Sequence, residues 1–384
     1  MLTLDEAELR ARRTSVKWRH YDPDVLPLWV AEMDAQPAPP VVAALRRLAD
    51  DGDLGYPVPE VYVASVTSWL RREWGLEVPA ADVRVVTDVM TGVREAIRAV
   101  TDEGDPVLVP TPVYPPFLAS VKVTGRELVT VPMTDQGRLD LDAVGAAMAA
   151  LPGIGRSGGR RAALLLSNPH NPTGVAHTAE ELRGLAALAA EHGVTLVSDE
   201  IHAPLVLPGA SFTPLLSLPE AAGALAVISP AKGWNLAGLK AAALLAGPTA
   251  RDALAAVPEE VSWTVGHVAA TVHVAAMDDG GPWLADLVAD LDANRALLAD
   301  LVAEHLPGVA TRPVEATYLA WLDVRGTGLT YGRVLREARV ALMDGPAFGP
   351  GGAGHLRLNL ATSPAVLTAA VRRIGTLLDS AARA

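Results

Sequence analysis

The chain has 384 residues and a formal net charge of −12, and half of its residues are apolar. This length supports two domains that share one substantial hydrophobic core. The acidic balance leaves no basic surface for nucleic acid or for an anionic membrane, so neither is an expected partner. Because cysteine is absent, disulfides and thiolate metal sites are excluded, and no metal site is predicted.

The start of the sequence lacks the features of an export signal. Residues 1–6 contain two acidic side chains and no basic stretch followed by an apolar core. No apolar run is long enough to cross a bilayer without interruption. These features predict a cytoplasmic protein that does not contact a membrane.

Short apolar runs alternate with alanine- and leucine-rich stretches between about residues 83 and 247. This alternation is typical of a mainly parallel sheet with helices on both faces. Thr178 and Glu181 form a capping-box pattern, which predicts the start of a crossover helix. Glycine-rich residues 153–159 predict an exposed loop. The runs that predict strands are residues 83–87, 107–110, 128–133, 162–167, 194–198 and 225–229.

The carboxy-terminal part has a different pattern, in which a strand at residues 318–323 lies between helical stretches and a closing helix covers about residues 365–381. This mixture indicates a smaller α+β domain. The sequence therefore predicts a large domain over residues 48–285 and a second unit formed by residues 1–47 and 286–384.

Lys232 lies between the apolar run 225–229 and a loop of small residues. An amine in such a position loses solvation, so its pKa falls, and it becomes suited to form a Schiff base with a carbonyl group. A solvated loop lysine is the alternative, and for this lysine taken alone it is the more common case.

Two upstream runs also end in polar groups. Asn171 belongs to the segment Ser-Asn-Pro-His-Asn-Pro-Thr-Gly that begins at Ser167, and Asp199 follows the run 194–198. Open α/β sheets bind ligands at the carboxyl ends of their strands, so both side chains are expected in one crevice. We assign Asp199 to a protonated ring nitrogen, whereas Glu200 fits better as a cap of the following helix.

The order of these motifs resembles the fold-type I pyridoxal-phosphate enzymes, the aspartate aminotransferase superfamily. The motifs are Asn-Pro-x-Asn-Pro-x-Gly from residue 168, Ser-Asp-Glu-Ile-His from residue 198, and Ser-x-x-Lys-x-x-Asn-x-x-Gly-Leu-Lys from residue 229. The resemblance implies a three-layer α/β/α large domain with a mostly parallel sheet, a smaller α+β domain, and pyridoxal 5′-phosphate as cofactor.

Further segments are similar to one branch of that superfamily, the cystathionine β-lyases of the MalY and PatB type. They are residues 13–18, 28–34, 54–56, 316–323 and 357–359. The resemblance therefore covers nearly the whole chain. It implies an amino-acid substrate and a homodimer with the active site at the subunit interface.

The resemblance assigns the cofactor phosphate to the backbone amides of Val89 and Met90 and to Ser229 and Lys240. A helix N-terminus after a strand is a suitable anion site. Asp88 departs from the small residue that relatives tend to carry there, and its carboxylate would repel a phosphate unless it is turned away.

The remaining roles follow from the same resemblance. Lys232 is the catalytic lysine, Asn171 donates to the ring hydroxylate, and Asp199 pairs with the ring N–H. Tyr114 stacks on the ring, although aromatic residues in proline-rich loops more often only pack. The resemblance assigns Tyr56 to the phosphate of the partner subunit. Arg357 is the best candidate for the substrate carboxylate, because a planar guanidinium matches a carboxylate in two hydrogen bonds, and a surface salt bridge is the alternative. His202 is assigned to the cofactor or substrate, with a core histidine whose hydrogen bonds are satisfied as the alternative.

The predicted reaction is elimination at the β-carbon of a sulfur amino acid, which releases a thiol, pyruvate and ammonia. The alternative is an aminotransferase, in which Lys232 returns the proton to the cofactor. A binding or regulatory protein is the third possibility, and the intact set of site residues argues against it. Ala35 and Ala231 differ from common family residues, so the sequence leaves the particular substrate open.

Overall fold

A computed structural model describes residues 1–154 and 159–382. Residues 155–158 of the predicted loop lie outside the described residues. The α-helices are α1 (Glu6–Arg12), α2 (Val16–Arg19), α3 (Pro39–Asp51), α4 (Pro59–Trp74), α5 (Val89–Val100), α6 (Pro115–Val123), α7 (Leu141–Ala149), α8 (Ala179–His192), α9 (Arg251–Ala255), α10 (Glu260–Trp263), α11 (His267–Asp279), α12 (Gly281–His305), α13 (Tyr331–Arg336) and α14 (Pro364–Ala382).

The strands form a large sheet, a small sheet and a separate pair. They are β1 (Leu26–Pro27), β2 (Val83–Val86), β3 (Pro106–Thr111), β4 (Glu127–Pro132), β5 (Ala162–Ser167), β6 (Val194–Asp199), β7 (Leu225–Ile228), β8 (Ala242–Ala246), β9 (Ala310–Thr311), β10 (Leu319–Asp323), β11 (Val340–Ala341), β12 (Met343–Asp344) and β13 (His355–Asn359).

The large sheet has seven strands in the order β2-β8-β7-β6-β5-β3-β4. Strand β8 is antiparallel to both of its neighbours, and the other pairs are parallel. Ala163 and Leu165 of β5 pack with α5 and α6, whereas Leu164 and Leu166 pack with α7 and α8. Helices therefore cover both faces, and the predicted α/β fold is confirmed.

The fold confirms one local prediction from the sequence and contains one strand that the sequence analysis missed. Helix α8 begins with the predicted capping box, in which Thr178 accepts from the Glu181 amide and Glu181 accepts from the Thr178 amide. Strand β8 is absent from the predicted strands. Its sequence, Ala-Ala-Leu-Leu-Ala, favours a helix by propensity, but complete burial between two strands overrides that preference.

The small sheet has the order β12-β13-β10-β9 and is antiparallel. Trp321 of β10 lies opposite Arg357 of β13. Strand β1, near the amino terminus, pairs with β11. The amino-terminal segment thus joins the carboxy-terminal part, while the domain bounds at 48 and 285 stay a prediction. In the part of the chain that the structure describes, no helix is both long and apolar enough to cross a membrane.

Residues 29–35, which we name the strap, cross from the amino-terminal segment to the site. Side chains from distant parts of the chain bind its backbone carbonyls. Asn359 donates to the carbonyls of Val30 and Glu32, at 2.8 and 2.7 Å, and Asn235 donates to the carbonyl of Met33 at 2.8 Å. The strap therefore has a fixed backbone position.

A buried ion pair fixes the end of the strap. Lys17 Nζ lies 2.7 Å from Asp34 Oδ2, the Trp18 indole donates to Asp34 Oδ1 at 2.7 Å, and both charged side chains are at most 2% exposed. Burial makes this pair sensitive, because loss of one partner leaves the other charge unpaired in a region of low polarity.

We expect Lys17→Met to lower the free energy of unfolding by about 3–5 kcal/mol. Denaturant titration followed by circular dichroism would measure it. The matched control is Arg12→Met, which removes an exposed ion pair with Glu8 and should cost less than about 1 kcal/mol. Equal small losses in the two variants would contradict the role given to Lys17.

Candidate active site

The carboxyl ends of β5, β6 and β7 open into a cavity. Open α/β sheets bind small molecules at this edge. Nine of the ten predicted cofactor residues line the cavity: Val89, Met90, Tyr114, Asn171, Asp199, His202, Ser229, Lys232 and Lys240.

Lys232 lines the cavity, and its residue is half-buried. Its Nζ donates to the carbonyl of Ala31 in the strap at 2.6 Å. Burial, and next to it the charge of Arg357, lower the pKa of the Lys232 amine to about 8. The amine is therefore partly neutral near physiological pH, as a nucleophile or proton acceptor requires. This position excludes the solvated loop lysine considered from sequence.

This lowered pKa predicts how fast the cofactor-free protein captures a carbonyl compound. Only the neutral amine attacks, so the rate constant for imine formation with pyridoxal should rise with pH and level off above about pH 8. Stopped-flow absorbance would measure this rate constant. Nα-acetyl-lysine, whose side-chain amine is free, is the reference under the same conditions. A rate that rises in parallel with the reference to pH 10 would contradict the lowered pKa.

Asp199 ends β6 and places its carboxylate in the cavity. Oδ1 accepts from the Ile201 amide at 3.0 Å, and the side chain is buried. Burial raises the pKa of this carboxyl to about 7, against the smaller opposing effects of the Ile201 amide and the Lys232 charge. A cationic N–H placed beside it would favour the ionised form. The position therefore suits a protonated ring nitrogen.

Asn171 and Arg357 form one buried unit. Arg357 Nη1 donates to Asn171 Oδ1 and Nη2 donates to the carbonyl of Trp29, both at 2.9 Å. The amide NH₂ of Asn171 is left to donate toward a ligand. Arg357 lies behind the cavity wall, and its Nε is buried with no hydrogen-bond partner among the described residues. Burial rules out the surface salt bridge considered from sequence, and donors remain for a carboxylate.

The phosphate end of the cavity is formed by the first turn of α5. Among the described residues, the amides of Val89 and Met90 have no hydrogen-bond partner, whereas the Thr91 amide donates to Asp88 at 2.7 Å. Lys240 lines the same end. The Ser229 hydroxyl donates to the carbonyl of Ala241 at 2.7 Å, so its proton already has an acceptor within the chain.

Tyr114 lines the cavity with a half-buried ring, and its backbone amide donates to the carbonyl of Asn171 at 3.0 Å. Burial raises the pKa of its hydroxyl, so the ring stays neutral. Tyr56 is elsewhere: its side chain is 83% exposed and does not line this cavity. A role for Tyr56 therefore requires a second subunit.

His202 is buried in the cavity wall, and its Nδ1 has no hydrogen-bond partner within the described ranges. Burial, followed by the charges of Lys232 and Arg357, lowers the pKa of this imidazole to about 3. His202 is therefore neutral, with a nitrogen available for a ligand.

Glu200 does not cap a following helix, contrary to the sequence interpretation. Its Oε1 accepts from the Leu215 amide at 2.9 Å and from the Ser198 hydroxyl at 3.0 Å, on the side away from the cavity. Burial raises the pKa of Glu200 to about 8. Adjacent strand residues point to opposite faces, so only Asp199 reaches the ligand.

Sequence analysis missed the backbone carbonyl of Ala31 and the hydroxyl of Tyr318. Tyr318 is buried and donates to the Ala31 carbonyl at 3.0 Å, beside the Lys232 amine. Both residues lie in segments that carry the family resemblance. A carbonyl oxygen, however, is common to every residue, so no residue type could identify it.

The sequence model of the family "Aminotransferase class I and II" matches residues 23–374. The "Putative cystathionine beta-lyase" of Mycobacterium tuberculosis strain H37Rv is 48% identical, over 98% of this chain and 97% of that protein. Cystathionine β-lyase PatB of Bacillus subtilis is 32% identical, over 98% and 100%. The chain belongs to the aminotransferase class I and II family and, within it, to the branch that contains these relatives.

A solved structure from Corynebacterium diphtheriae, described as a putative PLP-dependent β-cystathionase, superposes with a TM-score of 0.90. It is 32% identical and covers 99% of both chains. The resemblance to fold-type I enzymes and the predicted fold are therefore confirmed.

The residues of the cavity fit the cofactor of this family. A phosphorylated pyridine aldehyde needs an amine, an anion site, a ring platform and partners for its ring atoms. Lys232 supplies the amine, the free amides of α5 supply the anion site, and His202, whose Nδ1 has no partner among the described residues, lines the same cavity.

Proposed function

We propose that the chain is a pyridoxal-phosphate-dependent carbon–sulfur β-lyase of the cystathionine β-lyase type. It acts on an amino acid with sulfur at Cβ and releases a thiol, pyruvate and ammonia. The observation that carries the proposal is the meeting of Lys232, Asp199 and Asn171 at one cavity, with the Arg357 guanidinium bonded to Asn171 behind the cavity wall. The relatives named cystathionine β-lyase support the choice of reaction.

When bound, pyridoxal phosphate activates the Cα–H bond of an amino acid by drawing its electrons into the pyridine ring. Asp199 would face the ring N–H, and the Asn171 amide would donate to the ring hydroxylate. Tyr114 would pack on the ring face, and the α5 amides with Lys240 would bind the phosphate. These residues fix where the substrate's α-carbon lies.

Arg357 orients the substrate through its α-carboxylate. The guanidinium is buried and already fixed by Asn171 and Trp29, so its remaining donors present a preformed fork. A fixed carboxylate limits rotation about Cα and directs the Cα–H bond toward Lys232.

Lys232 moves the proton. Its neutral Nζ accepts the proton from Cα, and the electron pair of that bond forms the Cα–Cβ double bond while the Cβ–S bond breaks. The thiolate leaves with the electron pair of the Cβ–S bond and takes up a proton. The three-carbon remainder is released and hydrolysed to pyruvate and ammonia. The Ala31 carbonyl, which accepts from Lys232 at 2.6 Å, positions the amine for this transfer.

A homodimer completes the site in this proposal. Leu54, Tyr56, Val58 and Val61 are all more than half exposed and cluster in one segment, and Trp263 is 51% exposed. Such apolar exposure is typical of an interface. Tyr56 would reach the phosphate of the partner subunit. The cytoplasmic location stays a prediction.

The form of the cofactor after turnover tests the reaction type. With L-cystathionine, a lyase keeps its cofactor in the aldehyde form through many turnovers, so the absorption spectrum returns to its starting state. An aminotransferase, which differs only in where Lys232 delivers the proton, converts the cofactor to the amine form until a keto acid is added. Accumulation of the amine form without thiol release would contradict the proposal.

A further inference from the structure

Asp88 places a carboxylate at the phosphate end of the cavity. The residue caps α5, where Oδ1 accepts from the Thr91 amide at 2.7 Å, and Oδ2 lies 3.8 Å from Lys240 Nζ. Asp88 and Lys240 both line the cavity. From the sequence, we expected the Asp88 carboxylate to repel a phosphate unless it is turned away. The structure shows that it is not turned away.

The cap also uses part of the anion site. A helix N-terminus attracts anions through the free amides of its first turn and through the helix dipole. In α5 the Thr91 amide is bonded to Asp88, which leaves the Val89 and Met90 amides for a ligand. Asp88 thus occupies one donor and adds one negative charge at the place where a phosphate dianion would bind.

Few positive charges compensate for Asp88. Of the described residues that line the cavity, Lys232 and Lys240 are the only lysine or arginine side chains. Lys232 supplies the reactive amine, so Lys240 is the fixed cation at the phosphate end. Its side chain is 59% exposed and is paired with Asp88. The two side-chain charges nearly cancel before the phosphate arrives.

We propose that Asp88 weakens the binding of the cofactor's phosphate group. The enzyme therefore binds pyridoxal phosphate less tightly than it would with an uncharged residue in place of Asp88. The inference rests on the cofactor named in the proposed function. Because weaker binding of the phosphate raises the Kd for the cofactor, the loaded fraction of the enzyme follows the concentration of free cofactor. Asp88 therefore determines how strongly the site prefers the phosphorylated cofactor over unphosphorylated pyridoxal.

The test is the affinity of the full-length cofactor-free protein for pyridoxal phosphate and for pyridoxal, measured by absorbance titration. Asp88→Asn removes the charge and keeps a capping side chain. We expect its Kd for pyridoxal phosphate to fall about tenfold, since a nearby like charge is removed, and its Kd for pyridoxal to stay unchanged. Asp88→Ser, which also keeps a cap, should behave in the same way.

Asp140→Asn is the matched control. Asp140 caps α7 by accepting from the Ala143 amide at 2.9 Å and does not line the cavity, so its substitution should change neither Kd. Unchanged or weaker binding of pyridoxal phosphate by Asp88→Asn would overturn the inference, as would equal tightening of both ligands. A wild-type protein that binds neither compound would instead contradict the cofactor itself.

Discussion

Lys232→Ala should lower the rate of thiol release from L-cystathionine by about 10⁴-fold or more, because one residue supplies both the covalent attachment and the proton transfer. The other lysine that lines the cavity, Lys240, is paired with Asp88, so it does not replace the Lys232 amine. The readout is the initial rate of thiol formation by the purified variant with saturating cofactor.

Two controls separate lost chemistry from lost structure. The thermal unfolding of Lys232→Ala should match that of wild type, because removing this amine does not expose the core. The control Lys122→Ala replaces an exposed lysine of α6 and should keep full activity. If Lys232→Ala retained wild-type activity, the mechanism proposed for Lys232 would be wrong.

Arg357→Ala should lower kcat/KM by about 30- to 1,000-fold, which corresponds to about 2–4 kcal/mol of lost charge-assisted hydrogen bonding. Both KM and kcat should change, because the guanidinium binds the carboxylate and also directs the Cα–H bond toward Lys232. Arg357→Lys should recover part of the loss, since lysine keeps the charge without the planar fork.

A substrate without the carboxylate is the internal control for Arg357. An S-substituted cysteamine should be a poor substrate for wild type and for Arg357→Ala to the same extent. The comparison matters because Arg357 also binds Asn171 and Trp29, and its loss could disturb them. An equal fall in kcat/KM for both kinds of substrate would show that Arg357 acts only as a structural support.

Residues at strand ends were predictable because the sequence contains both the apolar run and the polar residue that follows it. Asn171, Asp199 and Lys232 follow β5, end β6 and follow β7, and all three line one cavity. Parallel strands bring their carboxyl ends to one edge of the sheet. The order of the runs along the chain was therefore sufficient to predict that these three side chains lie close together.

Other parts of the site depend on geometry that no residue type reveals. The partner of Lys232 is the backbone carbonyl of Ala31, to which Tyr318 also donates. Asn359 binds the carbonyls on either side, those of Val30 and Glu32. The direction of the Asp88 carboxylate depends on its bond to the Thr91 amide. The contribution proposed for Tyr56 needs a second chain, whose position a single sequence does not give.

The products formed from L-cystathionine test the central claim most directly. Holoenzyme supplied with this single substrate and no keto acid should form thiol, pyruvate and ammonia in equal amounts over many turnovers per active site. This result requires the β-carbon–sulfur bond to break after Lys232 removes the α-proton. A single turnover per site that yields a keto acid with its sulfur still attached would contradict the account.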